Sequence, residues 1–475
     1  MTYDVAVIGA GVVGALTARE LSKYKLNVCI LEAGADVALG ASRANSGIVH
    51  GGFDPEEGTL KAELNLRGTT MMPQIAEELD VHYRKNGSMV LAFNEEEKEH
   101  LHILYERGIK NKVPGLSVIS GEKARKLEPN LSENTVAALL CESSGIICPY
   151  GLTIAAVGNA MDNGAELFLD FKVENISFDG EKYSISSKDR TVEANYIINS
   201  AGMGADGIAA LLGDKYELVP KKGEYLLLDR SEGTLVSHTI FQVPGVFGKG
   251  ILVSPTADGN LLVGPTSEAT SADDVTTTPE GLEKIKAIAA RSTEKVNYRK
   301  TITSFAGLRA SSAASGDFII EHSGSEHALN LVGIDSPGLS SAPAIAEYVV
   351  ELLEKDGLIL ERKEDFNPKR ISPVHFSSLT TEEKNEMIKN DPSYGHIICR
   401  CESVTEGEIL AAIRQNPKAT TLDGVKRRTR AGMGRCQGGF CTSFITGILA
   451  RELGIPETEV KKSGGESYIL VGKTK

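Results

Sequence analysis

The sequence predicts an α/β fold, on three observations. Residues 1–32 read as a strand, a glycine-rich turn, a helix and a second strand ending in an acid. Residues 164–198 and 217–264 carry strand patterns broken by glycine and proline. Residues 396–475 gather four of the seven cysteines. The expected architecture is a Rossmann-like parallel sheet, an interleaved mixed-sheet unit and a small α-rich unit around the cysteines.

Taken in order, residues 4–8 form a short apolar run, 9–14 a tight turn, 12–23 a helix and 27–31 a second strand, which together make a parallel βαβ unit. Residues 40–52 have the Ser, Asn and Gly content of a loop placed near the crevice. Helices are expected over 61–79 and 95–111. The strands of 164–198 turn at Gly180 and end in Tyr196-Ile-Ile-Asn-Ser-Ala-Gly202, a return to the first sheet. Strands follow over 217–229, 238–247 and 250–264. A polar, acidic surface loop is expected over 267–278, then a helix over 280–290. Residues 330–333 read as a strand, 337–343 as a tight loop and 345–353 as a helix whose start points N–H groups into the crevice.

A chain of 475 residues suggests two or three domains. With 64 acidic against 51 basic residues the formal charge is -13, which argues against a nucleic-acid footprint, as does the absence of tryptophan. Small anionic substrates stay compatible with a locally positive pocket. No apolar run is long enough to span a membrane and no basic leader precedes the first strand, so a cytoplasmic location is expected. An odd number of cysteines disfavours a secreted disulfide framework. Cys29, Cys141 and Cys148 are expected to be plain buried thiols.

Gly9-Ala-Gly11-Val-Val-Gly14 follows a strand directly. The first glycine permits the turn, the second lets a pyrophosphate approach the backbone, and the third lets helix and strand pack closely. Glu32 is placed to accept hydrogen bonds from an adenosine ribose, and its charge disfavours a 2′-phosphate there. NAD and FAD both satisfy this unit; the distant 199–202 segment favours the longer FAD, which needs close backbone approach at several places.

Several stretches make the similarity specific: Asp4 to Gly14, Arg43-Ala-Asn-Ser-Gly-Ile-Val-His-Gly-Gly52, Gly58-Thr-Leu-Lys-Ala-Glu-Leu64, Asn199-Ser-Ala-Gly202, Gly307-Leu-Arg-Ala310 and Ser336-Pro-Gly-Leu-Ser-Ser-Ala-Pro343. Through these, residues 1–353 resemble the FAD-dependent oxidoreductases related to D-amino-acid oxidase, and within them the glycerol-3-phosphate dehydrogenases and L-2-hydroxyglutarate oxidases. The resemblance implies noncovalent FAD contacted by Gly9, Gly11, Gly14, Glu32, Ser42, Arg43, Ser46, Gly47, Ala201, Gly202, Gly338, Leu339 and Ser340. It also implies a substrate domain whose sheet roofs the isoalloxazine. FAD-binding parts are expected at about 1–80, 150–215 and 325–362, and the substrate domain at about 81–149 and 216–324.

Oxidation of a secondary alcohol needs a hydride acceptor, a proton acceptor and a positive group for an anionic tail. His50 suits the proton by residue type and by its place in the glycine-rich loop, although a histidine there could instead only order that loop. Arg309 suits a bidentate clamp on carboxylate or phosphate, with a surface or interdomain ion pair as its other reading. Lys221, Lys222 and Lys61 are further candidates for positive potential or simply exposed lysines.

At the other end, Cys399-Arg-Cys401 and Cys436-Gln-Gly-Gly-Phe-Cys441 supply four soft thiolates, enough for a [2Fe-2S] cluster or a zinc tetrahedron. Zinc sites more often place two residues between paired cysteines. From residue 397 to about 453 the chain resembles the bacterioferritin-associated-ferredoxin type of [2Fe-2S] domain, in Ile398-Cys-Arg-Cys-Glu402, Val404 to Ile409 and Thr429 to Cys441. That resemblance assigns Cys399, Cys401, Cys436 and Cys441 as ligands. Residues 363–395, charged and proline-containing, are expected to link the two parts. The basic run Lys426-Arg-Arg-Thr-Arg430 is expected to dock a partner or offset the cluster's charge.

The joined architecture resembles the catalytic subunit of anaerobic glycerol-3-phosphate dehydrogenase. The expected activity is FAD-dependent dehydrogenation of a small anionic hydroxy substrate, sn-glycerol 3-phosphate first and L-2-hydroxyglutarate or a related 2-hydroxy acid second. Electrons would pass through the cluster to a redox partner subunit, with any membrane association through that partner only. A non-catalytic electron-transfer subunit and an amine or amino-acid dehydrogenase are the other readings.

Overall fold

The computed structural model describes residues 2–244 and 250–472. In chain order, β1 (Thr2–Ile8) leads through the glycine turn into α1 (Val12–Leu21) and β2 (Val28–Leu31). Helices α2 (Leu60–Glu78) and α3 (Pro149–Asp162) follow, then β3 (Thr191–Asn199), β4 (Leu218–Leu228), β5 (Thr301–Ser312), β6 (Ala328–Val332) and α4 (Gly338–Lys355). Toward the end lie α5 (Glu406–Arg414), α6 (Leu422–Thr429) and α7 (Thr442–Leu453).

In the first sheet β3, β1 and β2 run parallel, with Ile8 opposite both Asn199 and Leu31. Strand β6 pairs in parallel with the C-terminal half of β3. An antiparallel hairpin, Asn175–Phe178 with Tyr183–Ser186, covers its N-terminal half. Gly180, at φ 101°, makes the hairpin turn, a conformation that glycine adopts without steric cost. Helices α1 to α4 cover one face around Val5, Val7, Leu64, Val157 and Val349, and Tyr3, Ala6, Phe171 and Tyr183 fill the other. Burial on both faces explains the near-continuous apolar strands.

A second sheet draws its strands from residues 88–141 and 218–312. Strand β5 pairs along the length of β4, and Thr239–Gln242 joins Ser88–Ala92 in parallel. Of the expected strand 238–247, Thr239–Gln242 forms, whereas positions 245–247 lie outside the described residues, as do Met1 and 473–475.

Helix α4 starts at Gly338 and takes in most of the expected tight loop 337–343. Pro343 lies inside this helix, where its missing N–H leaves the Leu339 carbonyl without its intrahelical partner. The stretch 363–395 contains a helix, Thr381–Asn390, opened by a capping box between Thr380 and Glu383.

Around the cysteines, α5, α6 and α7 pack on a core that includes Ile409, Val425, Leu449, Cys399 and Cys441. Strong ion pairs hold this unit to the rest of the chain. Asp36, after β2, accepts from Arg427 at 2.6 Å and from Arg428 at 2.8 and 2.9 Å. Arg430, at φ 67° where α6 ends, reaches Asp258, Asn260 and Glu402. Arg435 pairs with Asp229 at 2.6 Å. Three arginines of the basic run, Arg427, Arg428 and Arg430, are therefore engaged inside the chain instead of lying open to a partner, while Lys426 stands near Cys441.

Candidate functional site: a dinucleotide cleft and a thiolate pair of pairs

A cleft of about 860 Å³ opens at the carboxyl ends of the parallel strands, beneath the second sheet. That lies toward the upper end of cofactor-site volumes, roughly 300–1,000 Å³. Its floor requires glycine. A Cβ on Gly9 would sit 2.6 Å from the Ser200 carbonyl oxygen, and one on Gly14 would sit 2.0 Å from the Gly9 oxygen. No side chain caps α1 at Gly11, and Gly11, Val12 and Val13 line the cleft. The Val12 N–H donates to Ser42 Oγ at 2.9 Å. A second uncapped helix start, at Pro337, Gly338 and Leu339, lines the same cleft. Two helix N-termini on one elongated cleft suit a pyrophosphate and an electron-rich ring.

Glu32 lies on the wall with both carboxylate oxygens engaged, Oε2 by the Ala10 N–H and Oε1 by the Gly34 N–H, each at 2.8 Å. Burial lifts its pKa above the ordinary carboxylate value even though those two N–H groups pull it down. Ser42, Arg43, Ser46, Ala201 and Gly202 share the wall. Three of the expected contacts do not. Gly14 is spent on packing α1 against β1, Gly47 lies against the Ile147 carbonyl, and Ser340 is fully buried. Ser340 instead accepts the His50 backbone N–H at 2.8 Å, so it pins the loop rather than meeting the cleft.

His50 is fixed at its main chain by three side chains from two helices. Besides the Ser340 bond, its carbonyl accepts from Thr69 Oγ1 at 2.6 Å and Asn65 Nδ2 at 2.9 Å, both on α2. Its ring packs on Phe241 with centroids 5.8 Å apart. Above it, the roof is β4 paired with β5. Register sets Lys221 opposite Arg309 and Tyr225 opposite Phe305, all on one face. Lys221, Arg309 and Tyr225 line the cleft, and Tyr225 stacks on Phe305 at 4.8 Å. Burial raises the Tyr225 hydroxyl pKa while Arg309 pulls it back. Gly307 brings this roof onto the cofactor loop, since a Cβ there would lie 1.9 Å from the Ala44 oxygen.

The candidate cations separate by their partners. Lys61 is held by Asp335 at 2.7 Å and the Gly316 carbonyl at 2.8 Å. Lys222 points to the other face, buried with Asp274 at 2.6 Å and Glu224 at 3.9 Å. Asp274 belongs to the expected surface loop 267–278, whose Ala272 and Val275 also line the cleft, so that loop is part of the site wall. Among the described residues the Arg309 side chain donates only to Ser267 Oγ, the Thr266 carbonyl and Tyr225. Among the described residues neither Arg309 nor Lys221 forms an ion pair. Tyr225 and Phe241 were not foreseen. Tyr225 was findable, being four residues beyond Lys221 on the same strand and thus on the same face.

The cysteines stand as two pairs. Cys401 and Cys436 have their sulfurs 3.7 Å apart, and Cys399 is hydrogen-bonded to Cys441. Two thiolates on one tetrahedral metal, with bonds of about 2.3 Å, lie about 3.8 Å apart. Among the described residues no three Cys, His, Asp or Glu side chains gather around a single point. Two pairs fit two irons with two thiolates each. Burial would raise the Cys436 thiol, but N–H groups of Phe440, Gly438 and Gly439 outweigh it and lower its pKa. The same glycine-rich turn is the electron-withdrawing cradle a cluster needs. Cys399 and Cys441 are buried, Cys401 is exposed, and Cys29, Cys141 and Cys148 are buried thiols as expected.

Comparison with known proteins agrees with this geometry. Residues 4–352 match the model of the family described as "FAD dependent oxidoreductase", and residues 397–451 that of the "BFD-like [2Fe-2S] binding domain". The chain is 47% identical to a glycerol 3-phosphate dehydrogenase of Caloramator mitchellensis, over 100% of this chain and 99% of that one. It is 34% identical to a glycerol 3-phosphate oxidase of Mycoplasma genitalium over 77% of this chain and 98% of the relative. Among solved structures, a dithionite-reduced L-alpha-glycerophosphate oxidase from Mycoplasma pneumoniae with FAD bound superposes with a TM-score of 0.75. That alignment has 32% identity and covers 79% of this chain and all of that one. Among the described residues no helix is long and apolar enough to cross a membrane.

Proposed function

The chain belongs to the FAD dependent oxidoreductase family, and from that membership we propose that it dehydrogenates the secondary alcohol of sn-glycerol 3-phosphate and delivers the electrons through its C-terminal [2Fe-2S] domain to a separate redox partner. When bound, FAD supplies the two-electron acceptor and the cluster a one-electron carrier.

The observation that carries this reading is the Lys221 and Arg309 pair, two cations without carboxylate partners among the described residues, on the roof of the cleft that His50 also lines. Arg309 and Lys221 bind the phosphate, the guanidinium by a fork of two N–H groups and the ammonium as a point charge. His50 accepts the hydroxyl proton, in a position set by Ser340, Thr69 and Asn65. The stacked Tyr225 and Phe305 exclude water beside the clamp. Gly9, Gly11, Glu32, Ser42, Arg43, Ser46, Ala201, Gly202, Gly338 and Leu339 hold the dinucleotide along the floor. Gly14, Gly47 and Ser340 support that floor from behind.

Electrons leave where Cys401 is exposed, next to Cys436 and the turn that carries Phe440, which is 80% exposed. Such an apolar edge at a thiolate pair suits brief docking of an acceptor, another redox subunit or a quinone-linked complex. Any membrane contact is made by that partner. Anaerobic mixing with sn-glycerol 3-phosphate and with L-2-hydroxyglutarate, followed by flavin absorbance, tests the assignment. Bleaching by the phosphate ester supports it. Bleaching by the hydroxy acid alone transfers the clamp to a carboxylate substrate, and bleaching only by a reduced partner protein makes the chain an electron-transfer subunit.

A further inference from the structure

Residues 33–43, which follow β2, are shared between two parts of the chain. On one side Leu39, Gly40, Ser42 and Arg43 line the large cleft beyond Glu32. On the other side Ala35 and Asp36 meet the C-terminal unit around the cysteines. We infer that this docked unit is the outer support of the adenosine end of the FAD site, with Asp36, Arg427 and Arg428 as positioning residues, so that FAD is held more tightly while the unit is in place; this rests on the FAD site of the family and not on which alcohol is oxidised.

The contact is closely fitted. The Asp36 side chain is 4% exposed, and the two cations it pairs with among the described residues, Arg427 and Arg428, both belong to the C-terminal unit. Arg428 is itself fixed there, donating to the Pro417 carbonyl at 2.9 Å and the Gly424 carbonyl at 3.0 Å. Beside these ion pairs the backbones come together. A Cβ on Gly464 would lie 2.7 Å from the Ala35 Cβ, and one on Gly424 would lie 3.3 Å from Asp36 Oδ2. Gly464 sits in a turn joined to the start of α6, since the Asp423 N–H donates to the Lys462 carbonyl at 2.8 Å.

From Asp36 the support runs into the cleft. Its Oδ1, which accepts from Arg428, also accepts the Val37 N–H at 2.8 Å. Ala38 follows at φ 60°, a left-handed conformation that is costly for a residue with a Cβ and persists only where its surroundings fix it. The Ala38 N–H donates to the Ala10 carbonyl at 3.1 Å, and Ala10 stands in the glycine turn with its own N–H on Glu32. One restraint on Ala38 thus comes from the glycine turn and another from Asp36. Charge acts along the same line: burial and nearby Arg427 lower the pKa of Arg43 on the cleft wall, while Asp423 raises it.

Two sites that bias one element strengthen each other by the same factor. Docking of the C-terminal unit and binding of FAD both favour residues 33–43 in the arrangement described, so each favours the other. The glycine turn and Glu32 form the floor without the unit, which adds to affinity and does not create the site. Flavin occupancy is thereby tied to the electron exit being in place.

The test follows flavin fluorescence as FAD leaves the cluster-loaded holoenzyme on dilution, which yields the Kd. Arg428→Met, a change within the C-terminal unit, should weaken FAD binding about ten- to hundredfold, within the usual span of coupling between sites. Asp36→Asn breaks the same contact from the other side, so the double variant should lose less than the two single losses combined. The loss is one of occupancy at a given FAD concentration. Arg414→Met, which removes a 63% exposed partner of Glu452 on the same unit, should leave the Kd unchanged. Circular dichroism and iron content report folding in each variant. Reciprocity supplies a readout that general destabilisation would not move: FAD should slow limited proteolysis within residues 363–395 in the wild-type protein, and much less in Arg428→Met. A wild-type Kd in both Arg428→Met and Asp36→Asn, equal weakening in Arg414→Met, or wild-type proteolysis indifferent to FAD overturns the inference. Failure of the glycerol 3-phosphate reading leaves these outcomes as they are, because no substrate is added.

Discussion

Lys221 and Arg309 are direct cross-strand partners on β4 and β5, and neither is neutralised by a carboxylate among the described residues. Two like charges facing each other on a sheet are destabilising, which the chain tolerates where an anion is to be held.

Replacing Arg309 by methionine should therefore raise KM for glycerol 3-phosphate by about ten- to hundredfold, the value of one charged hydrogen bond or two. Lys221→Met should do less, since an exposed ammonium is more screened. Steady-state kinetics with flavin content checks both, and an unchanged KM in Arg309→Met would remove it from the clamp.

His50→Asn keeps the backbone bonds to Ser340, Thr69 and Asn65 and removes the imidazole, with its packing on Phe241. The rate of anaerobic flavin reduction should fall by about 10² to 10⁴ with FAD still bound. A small loss would mean that His50 merely orders the loop.

Ser in place of both Cys401 and Cys436 should remove the visible iron–sulfur absorbance and the bound iron. Substrate should still bleach the flavin while reduction of an external protein acceptor stops. Zinc in the wild-type protein by metal analysis would contradict the pairing of thiolates described above.

Asp36 lies between Arg427 and Arg428, and although burial would raise its pKa, the two guanidinium groups hold it below the usual carboxylate value. Asp36→Asn leaves two buried charges uncompensated and should cost about 3–5 kcal/mol of interface stability. Limited proteolysis in residues 363–395 should become faster, and cluster reduction by substrate slower, with flavin bleaching unchanged.

The junction should also respond to pH in two directions. The hydrogen bond to Asp258 raises the His82 pKa. Its contribution is complete below the unfolded value of about 6.5 and is lost as pH rises through the raised folded one. Burial would raise Asp258, but His82 and Arg430 bring it down to about 2. Its contribution is present above the unfolded value of about 3.9 and is lost as pH falls toward the folded one. Unfolding midpoints should thus decline from pH 6 to pH 8 and again in strong acid. His82→Asn should flatten the alkaline arm alone.

Local chemistry was what the sequence made readable. Gly9, Gly11, Gly14 and Glu32 sit in one βαβ unit, where spacing alone fixes their geometry. The four cysteines were legible for a related reason, because thiolates in short-spaced pairs have few other uses. What stayed hidden were contacts closed by the whole fold. Asp36 meets Arg427 and Arg428 across almost the full chain, so a charge run looked like a docking patch. Phe241 reaches His50 through the second sheet, and Asp274 reaches Lys222 from a loop whose composition read as solvent-facing.

Gly307 sets how closely roof and floor approach. Because its bare Cα lets the roof strand rest on the Ala44 carbonyl, the height of the reaction chamber is fixed by two main chains and not by side chains. Mutation of the lining can change which molecules fit between floor and roof, but it cannot lift the ceiling, so descendants of this chain that accept bulkier alcohols would have to widen the chamber sideways.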